Sequence, residues 1–327
     1  MFIWLAASAL LSFAVTYLLG RLILPQLQRF HLGQTVRAEG PKRHYKKNGT
    51  PTMGGIFFVL PILLFLLLLS FRTGQSESWA LLLLFAFMAA LGFLDDYVKV
   101  RRDKRGLSVL QKTLPMLLIL LLFAVYTVYF SPLGAEIRLP FTDWTLLPHG
   151  IWKPLYALFL TVFLYFTINA VNLTDGEDGL LAGVGLPLFL GMTLILSLRP
   201  AYLNHGFAIP TAAALGGLAA FLIFNHYPAK VFMGDHGSLA LGALYAGLLA
   251  LCGLPWLLLL NGFIFLMEAL SVVIQVAYFK ATGGKRIFRM SPIHHHFELG
   301  GWSENRILAV FSSVTGLLSL VAVLALV

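Results

Sequence analysis

The sequence predicts an all-α, polytopic membrane protein, and three observations carry that reading. Of its 327 residues, 59% are hydrophobic and only 11% charged, with a mean hydropathy of +0.85, which sets it apart from soluble domains. Its apolar residues gather into windows of about 17–25 residues, the length that spans a bilayer. Its basic residues cluster in alternate connections between those windows.

Ten spans are expected, at 2–24, 54–71, 79–96, 110–130, 152–171, 179–198, 208–225, 237–254, 256–279 and 306–326. The first lacks a basic leader and a small-residue cleavage site, so it reads as a retained span. Pro61, Pro115 and Pro187 fall inside spans, where transmembrane helices tolerate them. Only Gly253 and Pro255 divide the eighth span from the ninth. With both termini placed outside, only Arg72, Arg138, Lys153 and Arg199 of the 23 basic residues fall on the outer side. The +9 net charge then belongs to the inner face, where it suits anionic lipid or a phosphorylated substrate; nothing points to nucleic acid. The longest outer connection, 131–151, alternates weakly between Pro132 and Pro140 and predicts a short hairpin. Cys252 is the single cysteine, so no disulfide framework exists. The absence of a visible repeat argues for one membrane domain over 1–327 rather than two transporter-like halves.

The few carboxylates crowd the inner ends of apolar runs, where an ionisable group is expensive and a functional candidate by default. Asp95-Asp96 with Lys99 closes the third span. An i, i+4 ion pair between Asp95 and Lys99 is the bland reading; a site for a hard cation, with Lys99 on an oxyanion, is the functional one. Asn169, Asn172, Asp175 and Asp178 recur every three residues before Gly179. They read either as a polar turn or as a polar face running back into the membrane. Phe232-Met-Gly-Asp235 precedes the eighth span, where Asp235 is either a helix cap or a metal ligand beside backbone N–H groups aimed at phosphate. His294, His295 and His296 follow Lys285, Arg286 and Arg289. Adjacent imidazoles do not converge on one metal, so phosphate contacts from an extended loop are expected, with His296 turned away from its neighbours. Lys47, Thr50, Thr52 and nearby glycines form a basic segment, suited either to lipid headgroups or to a substrate needing hydroxyl and backbone donors.

Taken together these segments resemble the phospho-N-acetylmuramoyl-pentapeptide transferases, a branch of the polyprenyl-phosphate N-acetylhexosamine-1-phosphate transferases. Asp95-Asp96-x-x-Lys99, Asn172-x-x-Asp175-Gly-x-Asp178-Gly and Phe232-Met-Gly-Asp235 match the wider superfamily. Lys47-x-Gly-Thr50-Pro-Thr52-Met-Gly-Gly and Ser291-Pro-Ile-His294-His295-His296-Phe-Glu match the narrower branch. The resemblance covers essentially the whole chain. It implies Mg²⁺-dependent transfer of phospho-MurNAc-pentapeptide from UDP-MurNAc-pentapeptide to undecaprenyl phosphate, giving lipid I and UMP in peptidoglycan synthesis. The implied setting is the cytoplasmic face of the bacterial inner membrane, with a homodimer as a family expectation.

The resemblance further implies Asp235 as the Mg²⁺ ligand and Asp95, Asp96, Asp235 and His294 as catalytic. It implies substrate contacts at Lys47, Thr52, Lys99, Lys112, Asn172, Asp175, Asp178, Asn225, Phe232, Gln275 and His295. Glu177 departs from the pattern, where an apolar residue is expected. A sister N-acetylglucosamine-1-phosphate transferase is the nearest rival, disfavoured by the triple histidine and the Gly49–Thr52 segment. A transporter is disfavoured by carboxylates gathered at one face, and an aspartyl protease by Phe232 in place of a glycine.

Overall fold

A computed structural model describes residues 2–29, 49–101, 106–142 and 144–326. Its helices are α1 (Phe2–Arg29), α2 (Ile56–Thr73), α3 (Ser76–Arg101), α4 (Val109–Tyr129), α5 (Trp152–Thr174) and α6 (Leu180–Leu198). They continue with α7 (Pro200–Leu203), α8 (Ala208–Asn225), α9 (Gly234–Leu251), α10 (Phe263–Ala281), α11 (Ile293–Leu299) and α12 (Glu304–Leu326). Among the described residues, nine of these are long and apolar enough to cross a membrane: α1 to α6, α8, α10 and α12. Each of the ten expected spans overlaps a long helix; the one outside those nine helices, 237–254, overlaps α9, whose every residue from His236 to Leu251 is buried. An inner helix enclosed by protein has no need of the uniform apolarity that lipid contact demands, so its Gly-Asp-His-Gly-Ser start is tolerated.

The helices sort into two groups around that inner one. Helix α9 packs on α3, α5 and α2, and α4 closes against α5 and α3. Helix α8 packs on α1, α6 and α2, while α12 flanks α6 and α10 flanks α5. Between the groups, Phe57 and Phe58 of α2 meet Phe221 and Phe224 of α8 edge to face, a favoured aromatic geometry. Outward-facing Leu10, Leu18, Leu64, Leu118, Leu122, Leu158 and Leu320 are exposed, an apolar belt that suits lipid rather than water.

Three local expectations change. Helix α10 begins at Phe263, because Pro255–Leu259 forms a 3-10 turn and Gly253 takes a left-handed φ of 66°. Helix α3 runs on to Arg101, carrying Asp95, Asp96 and Lys99 on a continuous helix. The three histidines lie on α11, a short helix, rather than an extended loop. The expected hairpin exists: β1 (Ile137–Arg138) pairs antiparallel with β2 (Thr145–Leu146) in the register Ile137↔Leu146 and Arg138↔Thr145. It docks on the α9–α10 connection through Arg138 N–H to the Gly253 carbonyl, 2.9 Å.

The junction of α3 with α9 positions everything that follows. A Cβ at Gly92 would lie 2.2 Å from the Asp235 carbonyl oxygen, so only glycine lets the helices approach this closely. One turn on, the Asp96 carboxylate accepts from the backbone N–H groups of Asp235 (3.1 Å) and His236 (3.0 Å). No side chain local to α9 caps its N-terminus; α3 supplies the cap instead, satisfying donors that a helix start leaves open. Gly92→Ala should therefore lower the thermal unfolding temperature of the detergent-solubilised protein, since overpacking of this kind costs about 1–3 kcal/mol. An unchanged melting temperature would show that the junction yields without penalty.

Candidate functional site

Four helices bring their polar ends together at the end of the bundle where α9 begins. From α3 come Asp95, Asp96 and Lys99; from the start of α4, Lys112, placed by a Ser108–Gln111 capping box. The end of α5 contributes Asn172, and α9 contributes Asp235. Lys99 Nζ lies 2.7 Å from Asp95 Oδ2, 3.0 Å from Asp235 Oδ2 and 3.8 Å from Asp96 Oδ1. Lys112 also pairs with Asp235 and sits 3.6 Å from Asp95. Asn172 Nδ2 donates to Asp235 Oδ1 at 3.1 Å and to Ser238 Oγ at 2.7 Å. The bland readings are thus partly present and partly displaced. The Asp95–Lys99 ion pair forms, but inside a larger network. Asp235 is not the cap of α9, because Asp96 takes that role.

The segment before α2 is held against the entry to α9 by backbone pairing. Phe232 N–H donates to the Pro51 carbonyl (2.8 Å), while Gly54 and Gly55 donate to the carbonyls of Phe232 and Met233 (both 2.9 Å). Thr52 is fully buried there, its hydroxyl 3.0 Å from where a Gly234 Cβ would sit. Phe232 is half-buried. Lys47 lies outside the described residues.

The turn between α5 and α6 carries Asp175, Glu177 and Asp178. Burial, followed by the charges of Asp235, Asp96 and Asp178, raises the Asp175 carboxyl well above its ordinary value. Asp178 Oδ2 accepts from Ala229 N–H (2.9 Å), and Asp178 N–H donates to Glu304 of α12 (3.2 Å). Asn225 joins the same turn, accepting from Gly179 N–H (3.1 Å) and donating to the Val231 carbonyl (2.9 Å). Gln275 accepts from Ile287 and Phe288 N–H (3.1 and 3.0 Å) and donates to the Phe288 carbonyl (3.2 Å). Each amide therefore ties backbone segments together: Asn225 joins the α5–α6 turn to Val231, and Gln275 holds Ile287 and Phe288 against α10. Beside Gln275 opens a cleft of about 430 Å³ with Phe279, Lys280, Arg286 and Ser291 in its lining. A cavity of about 390 Å³ lined by Trp4, Leu69, Arg72 and Asn204 lies at the opposite end of α2, far from these carboxylates.

On α11, His294 is fully buried and its Nδ1 is 3.0 Å from Glu268 of α10. His295 Nδ1 is 2.9 Å from Glu298, and His296 Nδ1 accepts from Arg289 N–H at 3.1 Å. Glu177, His295 and Glu298 bring ligand atoms within 4.8 Å of one another, a buried group able to hold a metal ion. Sequence reasoning did not single out Glu268 or Glu304, and Glu298 entered only as the last residue of the histidine motif, with no role of its own. A lone carboxylate in the apolar run of α10 was the available signal for Glu268; Glu304 reads from sequence as an ordinary acid at a helix start.

Chemically, three carboxylates, two ammonium groups and an amide converge on a few ångströms, at the edge of a span. Hard oxygen donors of this kind fit Mg²⁺, which takes one or two carboxylates and completes its shell with water and phosphate. The lysine ammonium groups already lie at positive positions between the carboxylates.

The glycosyl transferase family 4 model matches residues 78–253. Signature 1 of the phospho-N-acetylmuramoyl-pentapeptide-transferases matches residues 47–59. The phospho-N-acetylmuramoyl-pentapeptide-transferase of Listeria innocua is 45% identical, over 94% of this chain and 93% of its own length. That of Acetivibrio thermocellus is 42% identical over 97% and 94%, and that of Clostridium novyi 39% over 98% and 96%. With the site assembled on this fold and relatives matched almost end to end, the chain belongs to glycosyl transferase family 4 and, within it, to the phospho-N-acetylmuramoyl-pentapeptide-transferases.

Proposed function

We propose that the protein transfers phospho-MurNAc-pentapeptide from UDP-MurNAc-pentapeptide to undecaprenyl phosphate, releasing UMP and forming lipid I for peptidoglycan synthesis. The observation that carries this reading is the joined network of Asp95, Asp96, Lys99, Lys112, Asn172 and Asp235 at one end of a membrane bundle. A phosphate oxygen of the lipid bonds to the sugar-bearing phosphorus, and the P–O bond to UMP breaks. Both substrates are anionic, so positive charge must offset their repulsion. Lys99 and Lys112 supply part of it. One substrate is soluble and the other lipid-borne, so the reaction belongs at the interface, on the cytoplasmic face of the inner membrane by the distribution of basic residues.

In this reading Asp235 holds Mg²⁺, which when bound polarises phosphoryl oxygens and neutralises developing charge. Asp95 orients the lysines toward the lipid phosphate. Asp96 fixes the start of α9 and thereby the position of Asp235. Asn172, Asp175, Asp178 and Phe232 form the nucleotide side, with Lys47, Thr52, Asn225, Gln275 and His295 around it. The decisive assay is UMP release by the membrane-reconstituted protein from UDP-MurNAc-pentapeptide, undecaprenyl phosphate and Mg²⁺. Turnover with UDP-N-acetylglucosamine instead would favour the sister transferase.

Asp235→Asn should reduce turnover by about two orders of magnitude or more and weaken Mg²⁺ dependence, because an amide is a poorer ligand for a hard cation. Near-normal turnover with an unaltered Mg²⁺ titration would remove Asp235 from the metal. Asp95→Asn and Asp96→Asn should both lose turnover yet still bind a uridine nucleotide by calorimetry. They should differ in stability: truncating Asp96 to Ala removes the cap of α9 and costs about 1–2 kcal/mol, whereas Asp95→Ala should cost less. Equal melting temperatures for the two alanine variants would contradict the capping role.

A further inference from the structure

Glu268 belongs to none of the roles described so far, yet it is a fully buried carboxylate in a membrane-crossing helix. Such a group is costly unless it is partnered. Its Oε2 faces His294 Nδ1 at 3.0 Å and the His294 backbone N–H at 3.5 Å. Helix α11 has Pro292 at its N-cap and no side-chain cap, so Glu268 also pins the start of that helix to α10. A carboxylate accepting at Nδ1 places the proton there and fixes the ring's orientation, turning Nε2 the other way.

What Nε2 meets is the turn between α5 and α6. A Cβ at Gly176 would lie 2.4 Å from His294 Nε2 and 2.6 Å from Cε1, so the imidazole rests directly against the backbone between Asp175 and Glu177. The far half of that turn is already fastened through Asp178 and Gly179 to Glu304, Ala229 and Asn225. Its apex has the His294 ring as a wall. His294 is itself 0% exposed, which places it behind the turn rather than over an open substrate cleft.

We infer that Glu268 is a positioning residue that acts through His294 and Gly176 on the turn carrying Asp175 and Asp178, and so sets affinity for the nucleotide half of the donor. The inference rests on the reading of that turn as the nucleotide side. The carboxylate fixes the ring, the ring fixes the turn apex, and glycine at 176 leaves the space the ring needs. Loss of any one member lets the turn shift while the carboxylate–lysine network on α3, α4 and α9 stays in place.

The test uses the full-length protein reconstituted in membranes, with calorimetric binding of uridine 5′-diphosphate and separate KM values for the two substrates. Glu268→Ala should raise the KM for the nucleotide donor by about tenfold, leaving the KM for the lipid phosphate within about twofold. Glu268→Gln keeps a carbonyl oxygen for Nδ1–H and should recover most of that loss. Gly176→Ala should weaken nucleotide binding alone, but cost nothing further when added to His294→Ala, because the collision partner is then gone. Unchanged nucleotide affinity in Glu268→Ala, or additive losses in the Gly176/His294 pair, would overturn the inference. The pair tests the ring–turn contact; if Glu268→Ala does not fold, Glu268→Asp, which shortens the reach to Nδ1, should raise the donor KM in its place, and an unchanged donor KM there would overturn the inference. Asp178→Ala separates the two levels: if it leaves nucleotide affinity intact, the nucleotide reading of the turn fails; if it alone weakens binding, only the brace fails.

Discussion

The site depends on one contact, the Asp96 carboxylate across the first turn of α9. An inner helix beginning at the edge of a bilayer has backbone N–H groups that neither lipid nor a preceding turn satisfies. Here the acceptor comes from another helix, and it reaches only because Gly92 has no side chain to hold α9 away. The positive end of the α9 dipole attracts the same carboxylate, which also resolves why an acid near the C-terminal end of α3 is tolerated. Placing Asp96 places α9, and placing α9 sets Asp235 between Lys99, Lys112 and Asn172.

The resulting group is a near balance of opposite charges with negative charge in slight excess. That suits a site that must admit a divalent cation together with phosphates. Lysines alone would trap anions; carboxylates alone would repel them. The ion pairs fix the lysine positions beforehand, so little reorganisation is needed when charge redistributes along the reacting phosphoryl group. Stability is not the main result of such a network, since partly buried ion pairs recover little beyond their desolvation.

Much of this was legible in the sequence, for physical reasons that also mark where legibility ends. Lipid imposes length and apolarity on each span, so the outer helices could be bounded within a few residues. The break before α10 was misplaced because Pro255 and Gly253 start a 3-10 turn that remains apolar, and hydropathy does not register it. The histidine run was expected to be extended, but Pro292 fixes a start and α11 follows. The motif residues Asp95, Asp96, Lys99, Asn172 and Asp235 do converge, joined by Lys112. The partners that orient the others do not announce themselves: Glu304 resembles any helix-start acid, and Glu298 sits beside a polyhistidine run that draws the attention. Glu177 looked anomalous as a charge among apolar expectations. It is buried beside His295 and Glu298, so its surroundings differ from those an apolar side chain would require.

Backbone contacts do as much as side chains in holding this end of the molecule. The strand-like pairing of Pro51–Gly55 with Phe232–Met233 brings Thr52 to the start of α9, and glycines at 92 and 176 allow contacts that any Cβ would block. Residues that orient chemistry are therefore also residues that hold the fold, and Asp96 is the clearest instance. Its loss would remove a charge from the reaction centre and two hydrogen bonds from a helix terminus at once. An inactive variant at such a position says little about chemistry until its folding is known. Conversely, the Asp235 side chain takes no part in capping its own helix, and among the described residues its carboxylate pairs with the side chains of Asn172, Lys99 and Lys112, which makes it the position where lost activity reports most directly on the reaction.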